Sequence, residues 1–75
     1  MKTLSELDVG ETCIVKSIKT AGSMRRRFRD IGLIENTMVE CVGKSPAGDP
    51  KAFLIRGAVI AIRKEDCREI FVIEG

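Results

Sequence analysis

The stretch MVECVGKSPAGDPKAFLIRGAVIAIR, residues 38–63, decides the fold. Met38 to Val42 alternates as a strand, and Ser45-Pro46-Ala47-Gly48-Asp49-Pro50 is made of residues that favour bends. Ala52 to Arg56 then reads as the return strand, and Gly57 permits a second tight turn into Val59 to Arg63. The pattern predicts a hairpin with a long tip followed directly by a short one.

Outward from this centre, Thr12 to Ile18 (TCIVKSI) is a further strand, with Ile14, Lys16 and Ile18 on one face and Cys13, Val15 and Ser17 on the other. Ser23 can cap a helix whose apolar residues Met24, Phe28 and Ile31 recur at spacings of four and three and which stops at Gly32. Thr3-Leu4-Ser5-Glu6 has the form of a capping box and opens a short helix that Gly10 ends. After the centre, Lys64-Glu65-Asp66-Cys67 makes one helical turn and Ile70 to Ile73 a last strand. The sum is a mainly β chain of about five strands, with a short N-terminal helix and one helix near residues 23–32. Short strands at spacings of about 10 residues suit a small SH3-like barrel. Phe53 and Ile55 oppose Ala52 and Leu54 on the two faces of the return strand. Apolar residues on both faces fit barrel closure, which removes aggregation-prone edges, and a self-association edge is the competing reading.

Seventy-five residues with 44% hydrophobic side chains, three Phe and neither Trp nor Tyr supply one small core, so residues 1–75 read as a single domain. That length excludes a Rossmann enzyme, a complete P-loop GTPase and a TIM barrel. The longest apolar run, Ala58 to Ile62, falls far short of the ~20 residues of a membrane span. Glu6 and Asp8 stand where a signal peptide would be apolar, and a cytoplasmic location is expected. Cys13, Cys41 and Cys67 are odd in number and 28 and 26 residues apart, which supports neither a disulfide framework nor a CxxC zinc knuckle. Without any His, they read as three small buried hydrophobes.

Gly43-Lys44-Ser45 imitates the end of a phosphate-binding loop, but Met38 stands where the first glycine belongs, and Pro46, Gly48 and Pro50 exclude the helix that should follow. The usual general base for a Ser or Cys nucleophile is missing too, so no catalytic residue is assigned and an enzyme is not expected. The sharpest feature is Arg25, Arg26, Arg27 and Arg29 in one helix against a single acid, Asp30, a local charge of +4−1 = +3 in a chain whose net charge is +2. Helical spacing sets Met24, Phe28 and Ile31 in one stripe, Arg25 and Arg27 beside it, and Arg26 and Arg29 on the solvated side. Arginines early in a helix oppose its dipole, and breaks of a local rule gather at functional surfaces. The helix therefore reads as a surface for carboxylates or phosphates, against the plainer reading of a solvated face answered by Glu6, Glu11, Glu65 or Glu69. The second candidate is the hairpin tip, where Pro46 and Pro50 stiffen a loop containing Gly48 and Asp49 and reduce the entropy lost on partner binding. An inert turn is its alternative.

Leu4-Ser5-Glu6-Leu7 with Gly10, then Arg25-Arg26-Arg27-Phe28-Arg29-Asp30-Ile31-Gly32-Leu33, then Pro46-Ala47-Gly48-Asp49-Pro50, then Arg56-Gly57 leading into Ile60-Ala61-Ile62-Arg63 form an ordered series. In order and spacing it resembles the FeoA family of ferrous iron transport proteins over essentially the whole chain. A similar domain ends iron-dependent repressors of the diphtheria-toxin-repressor type, although these 75 residues contain no DNA-binding portion. The resemblance implies an SH3-like barrel in the cytoplasm that assists FeoB, the membrane permease with a cytoplasmic G-protein domain, in bacterial ferrous iron uptake. Direct interaction and modulation of the GTPase are the modes it implies. The partner-binding candidates are then Arg25, Arg26, Arg27 and Arg29 with Pro46, Gly48, Asp49 and Pro50. The chain departs from the family pattern where Phe28 replaces the usual Leu and where Glu35-Asn36 replaces Pro-Gly. Family members are often described as metal-binding, yet the carboxylates here form no recognisable cage. No cofactor or metal ligand is assigned beyond adventitious holding of a transition metal by Cys41 or Cys13 with a nearby acid. Two other functions stay open: a metal-responsive sensor whose barrel binds Fe²⁺, and a small barrel that binds RNA or another chain's tail.

Overall fold

A computed structural model describes residues 2–75. Arg56 and Gly57 take positive φ angles of 49° and 86°, the pair of left-handed residues that a two-residue type I′ hairpin turn requires. This turn sets the strands on either side, β4 (Lys51–Ile55) and β5 (Ala58–Ile62), one residue earlier than their alternation predicts, because Arg56 belongs to the turn. Upstream lie β1 (Lys2–Thr3), β2 (Thr12–Ile18) and β3 (Met38–Lys44), and β6 (Ile70–Glu74) closes the chain. All pairings are antiparallel and the spatial order is β1-β6-β2-β3-β4-β5. Among the described residues six strands stand where five were expected, since β1 is too short for any alternation to show.

Two bulges adjust which residues face inward. In β2 the register against β6 shifts between Val15 and Ser17, so Cys13, Val15 and Ile18 are all buried although Ile18 has the opposite parity. In β3 a shift between Cys41 and Gly43 leaves Val42 outside and carries the strand on to Lys44, beyond the Val42 end that alternation gives. One continuous core results, in which Phe53, Leu33, Ile55, Ile70 and Val72 are fully buried. Among the described residues β5 pairs only with β4 and β1 only with β6. The hydrogen-bonded ladder is therefore open among the described residues: β5 is an edge strand, while the return strand β4, apolar on both faces, is paired on both sides by β3 and β5.

The predicted helix is α1 (Gly22–Asp30); Ala21 occupies the N-cap, and Ser23, expected there, lies within the helix. Its C-terminus follows the sequence closely. Gly32 has φ 89°, its amide donates to the Arg29 carbonyl at 3.0 Å, and the Leu33 amide donates to the Phe28 carbonyl at 2.8 Å. This is a Schellman cap. Arg56 Nε then donates to the Gly32 carbonyl at 3.2 Å, laying a cation over the negative end of the helix. A second helix of one turn, α2 (Lys64–Cys67), forms as expected.

The capping box forms, and the short N-terminal helix expected from it is a 3₁₀ turn, Leu4–Glu6. Glu6 Oε2 accepts from the Thr3 amide at 2.8 Å, and the Thr3 hydroxyl lies 2.6 Å from Ser5 Oγ. This turn is held to the barrel by Lys51, whose Nζ donates to the Ser5 carbonyl at 2.9 Å and the Leu7 carbonyl at 2.8 Å. Lys51→Met keeps the stem and removes both charge-assisted bonds, with an expected cost of about 2 kcal/mol in urea unfolding. A loss below about 0.5 kcal/mol would show that water replaces the ammonium without penalty.

Candidate functional site

The four arginines of α1 divide by role. Arg25 is half-buried and its guanidinium donates to the carbonyls of Ile18 and Thr20, tying the helix to the end of β2. Arg26, Arg27 and Arg29 are exposed. Among the described residues the ion pair within 4.0 Å joins Arg63 to Glu65 at 3.9 Å, and none involves α1. Among the described residues no ion pair within 4.0 Å joins Glu6, Glu11, Glu65 or Glu69 to these arginines, although Glu65 lines the same groove as Arg27. Because α1 begins at Gly22, Arg27 and Arg29 fall in its last turn, where the dipole favours cations, so the expected dipole conflict largely disappears.

Phe28 is buried while Met24 and Ile31 pack against the core from its margin, as the helical stripe predicts. The stripe leaves a groove of about 410 Å³ between α1 and β5, with Met24, Phe28, Ile31, Ile60 and Ile62 among its lining and Arg27, Arg63, Glu65 and Asp66 around it. A second hollow of about 540 Å³ lies between the hairpin tip and α2, lined by Asp49, Pro50, Arg63, Lys64, Glu65 and Arg68. The two share Arg63 and Glu65. The basic helix and the tip, remote in sequence, thus border one continuous surface with α2 between them. Arg63, Lys64 and Arg68 add positive charge to it, and nothing local in the sequence marks them as neighbours of α1.

The tip is folded back and does not project freely. Ser45 Oγ donates to the Asp49 carbonyl and the Gly48 amide to the Ser45 carbonyl, both at 2.8 Å, and the Asp49–Pro50 peptide is cis. Asp49 Oδ1 accepts from the Lys64 amide at 2.8 Å, satisfying a free donor at the start of α2. Pro46 and Pro50 remain exposed while the Asp49 carboxylate is occupied within the fold.

All three cysteines are buried free thiols, as read from sequence. Burial pushes Cys13 up from 9.0 to about 11 and Cys67 up to about 12, with nearby lysines opposing the rise in each case. Among the described residues no group of three or more His, Cys, Asp or Glu side chains gathers to hold a metal ion. A thiol raised in the folded state loses no proton there while the unfolded chain ionises near pH 9, so the unfolded state gains with alkali. The urea midpoint is expected to be level with respect to these thiols below about pH 9 and to fall as pH rises toward 11, less steeply in Cys13→Ala than in the wild type. Equal slopes in the two proteins would contradict this.

No helix among the described residues is long and apolar enough to cross a membrane. The family model for the FeoA domain matches residues 2–74. The chain is 28% identical over 69 residues to an Fe(2+) transport protein A/Fe(2+) transporter FeoB fusion protein of Porphyromonas gingivalis, a match that covers 92% of this chain and 8% of that one. Among solved structures, it superposes on the FeoA protein of Chlorobium tepidum with a TM-score of 0.91 at 29% identity, covering 96% of this chain and 69% of that one. The Stenotrophomonas maltophilia FeoA complexed with zinc, described as a procaryotic SH3 domain protein, gives a TM-score of 0.84 at 26% identity, covering 97% and 91%. With an SH3-like fold, its Arg25–Leu33 segment forming most of α1 and its C-terminal cap, and a family match over almost its whole length, the chain belongs to the FeoA family.

Proposed function

We propose that this protein is a non-catalytic accessory module of bacterial ferrous iron uptake that docks in the cytoplasm on the G-protein-bearing part of a FeoB-type permease and modulates its GTP hydrolysis. The observation that carries the proposal is the set of exposed arginines, Arg26, Arg27 and Arg29, free of ion pairs within the described chain, with Arg27 lining the groove between α1 and β5. Charge that is not spent on the fold is available to acidic groups of a partner, where it steers encounter and fixes orientation. The Porphyromonas gingivalis relative supports the identity of that partner, because there a segment similar to this chain belongs to one polypeptide with the transporter. Of the tip residues Pro46, Gly48, Asp49 and Pro50, the last two line the hollow beside α2, which supports a part for the tip in shaping the docking surface, while Asp49 also holds the start of α2.

The readings as metal sensor and as RNA binder draw less support from the residues. Cys13 and Cys67 are held as thiols by burial, whereas a metal takes thiolate. Phe28 and Phe53 are buried and Phe71 half-buried, which leaves little for bases to stack on. Titration of ¹⁵N-labelled protein with the unlabelled soluble domain of the cognate permease tests the docking reading. Amide perturbations are expected on α1, at residues 45–50 and on α2; perturbations confined to β1 and β6 would overturn it.

A further inference from the structure

The free edge of β5 carries an inference about the form of the partner. In a hairpin closed by a two-residue turn, Ile55 and Ala58 exchange hydrogen bonds, and so do Phe53 with Ile60 and Lys51 with Ile62. The intervening residues Val59 and Ala61 turn their N–H and C=O groups away from β4. Among the described residues no strand pairs with that side, and no other backbone partner is found for those groups. Both residues are exposed, Val59 at 62%. A bare edge of this kind is a template for one more strand, and proteins usually blunt it with charge, proline or a covering element. From Ala58 to Ile62 this edge has none of the first two, and α1 stands apart from it across the groove.

The groove supplies what an added strand needs. Its floor is apolar, from Met24, Phe28 and Ile31 on one wall and Ile60 and Ile62 on the other. Arg27, Arg63, Glu65 and Asp66 line it as well, so its charge is balanced, with Glu65 paired to Arg63. We infer that this groove takes an extended peptide segment of another protein, apolar at the alternate positions that face Ile60 and Ile62, which pairs with the backbone of Val59 and Ala61 as a seventh strand. Main-chain bonds give such a site affinity, and the alternating pockets give it selectivity. Because α1 forms the far wall, a single chain fits where the edge of a second barrel, flanked by its own helix, does not. The inference rests on the docking reading for which protein supplies the segment, but not for the site itself.

The test uses a capped seven-residue peptide alternating Val and Glu, added at millimolar concentration to ¹⁵N-labelled protein, with amide hydrogen exchange read residue by residue. The expected result is saturable shifts at Met24, Ile31 and Arg27, and about tenfold slower exchange at Val59 and Ala61 with Ile60 and Ile62 unchanged. A peptide with Ser for Val is expected to bind several-fold more weakly. Ala61→Pro removes an outward N–H that β4 does not use and should abolish binding, while Ala61→Val, which keeps it, should not. Lack of saturable shifts with the Val/Glu peptide, or shifts without protection of Val59 and Ala61, would overturn the inference. So would protection that rises with protein concentration alone, which would assign the edge to a second copy. The soluble permease domain is run in parallel: if it binds and the peptide does not, docking stands and the added strand fails, whereas the reverse result leaves the strand site and removes the docking reading.

Discussion

Phe53→Ala is expected to leave a large share of the protein unfolded at room temperature. Phe53 is fully buried, lies opposite Cys41 on β3 and Ile60 on β5, and is the bulkiest of the fully buried side chains. Truncation removes the transfer energy of the ring and leaves a cavity that neighbouring strands cannot fill without breaking register, at a cost of about 3–5 kcal/mol. A domain of this size has roughly 4–11 kcal/mol in total, so the loss takes much or all of it. Val59→Ala on the adjoining strand is the control, because Val59 is 62% exposed and its truncation should change stability by less than about 0.5 kcal/mol. Urea unfolding followed by circular dichroism gives both numbers. A Phe53→Ala loss under about 1.5 kcal/mol would show that the core is not organised round this ring.

Much of this architecture is legible in the sequence because it is written locally. Gly32 stops α1 where its left-handed φ is needed, the Ser45–Pro50 run bends where the hairpin bends, and Met24, Phe28 and Ile31 face the core at helical spacing. What the sequence withholds is relational. The bulge near Lys16 reverses the parity of Ile18 through pairing with β6, some fifty residues further along the chain, and alternation within β2 cannot reveal it. Arg56 reads as the last residue of a strand because only the geometry of the turn shows it in a left-handed conformation. The open edge of β5 is of the same kind, since whether a strand is central or marginal depends on what fails to pair with it.

The site divides in the same way. That α1 is basic is plain from four arginines in nine residues, but that Arg25 is committed to the carbonyls of Ile18 and Thr20 is visible only in three dimensions. The same holds for Asp49, which looks like a tip residue and serves as the anchor for the first turn of α2. Arg63, Lys64 and Arg68 join the surface because α2 sits between the helix and the tip.

This division determines which arginines to reverse. Arg25→Glu would break the fastening of α1 and confuse folding with binding. Arg26→Glu with Arg29→Glu touches no hydrogen bond or ion pair found in the fold, and its stability cost is expected to stay below about 1 kcal/mol, from the dipole at Arg29. The double reversal moves the charge of α1 from +3 to −1, counting four arginines and Asp30 before and two arginines, two glutamates and Asp30 after. Attraction toward an acidic partner then becomes repulsion, and affinity is expected to fall about a hundredfold at low salt. The wild-type complex should weaken as salt rises because exposed charges are screened beyond about 10 Å at 0.1 M. The double variant should show little of that dependence.

The most direct measurement of the docking claim is isothermal titration of the cognate permease's soluble G-protein domain with wild-type protein and with the double variant, at low and at physiological salt, with GTP hydrolysis followed on the same samples. The account predicts wild-type binding that weakens with salt, a changed rate of hydrolysis, and loss of both in the folded double variant. Binding and hydrolysis that are the same for the two proteins at both salts would contradict it.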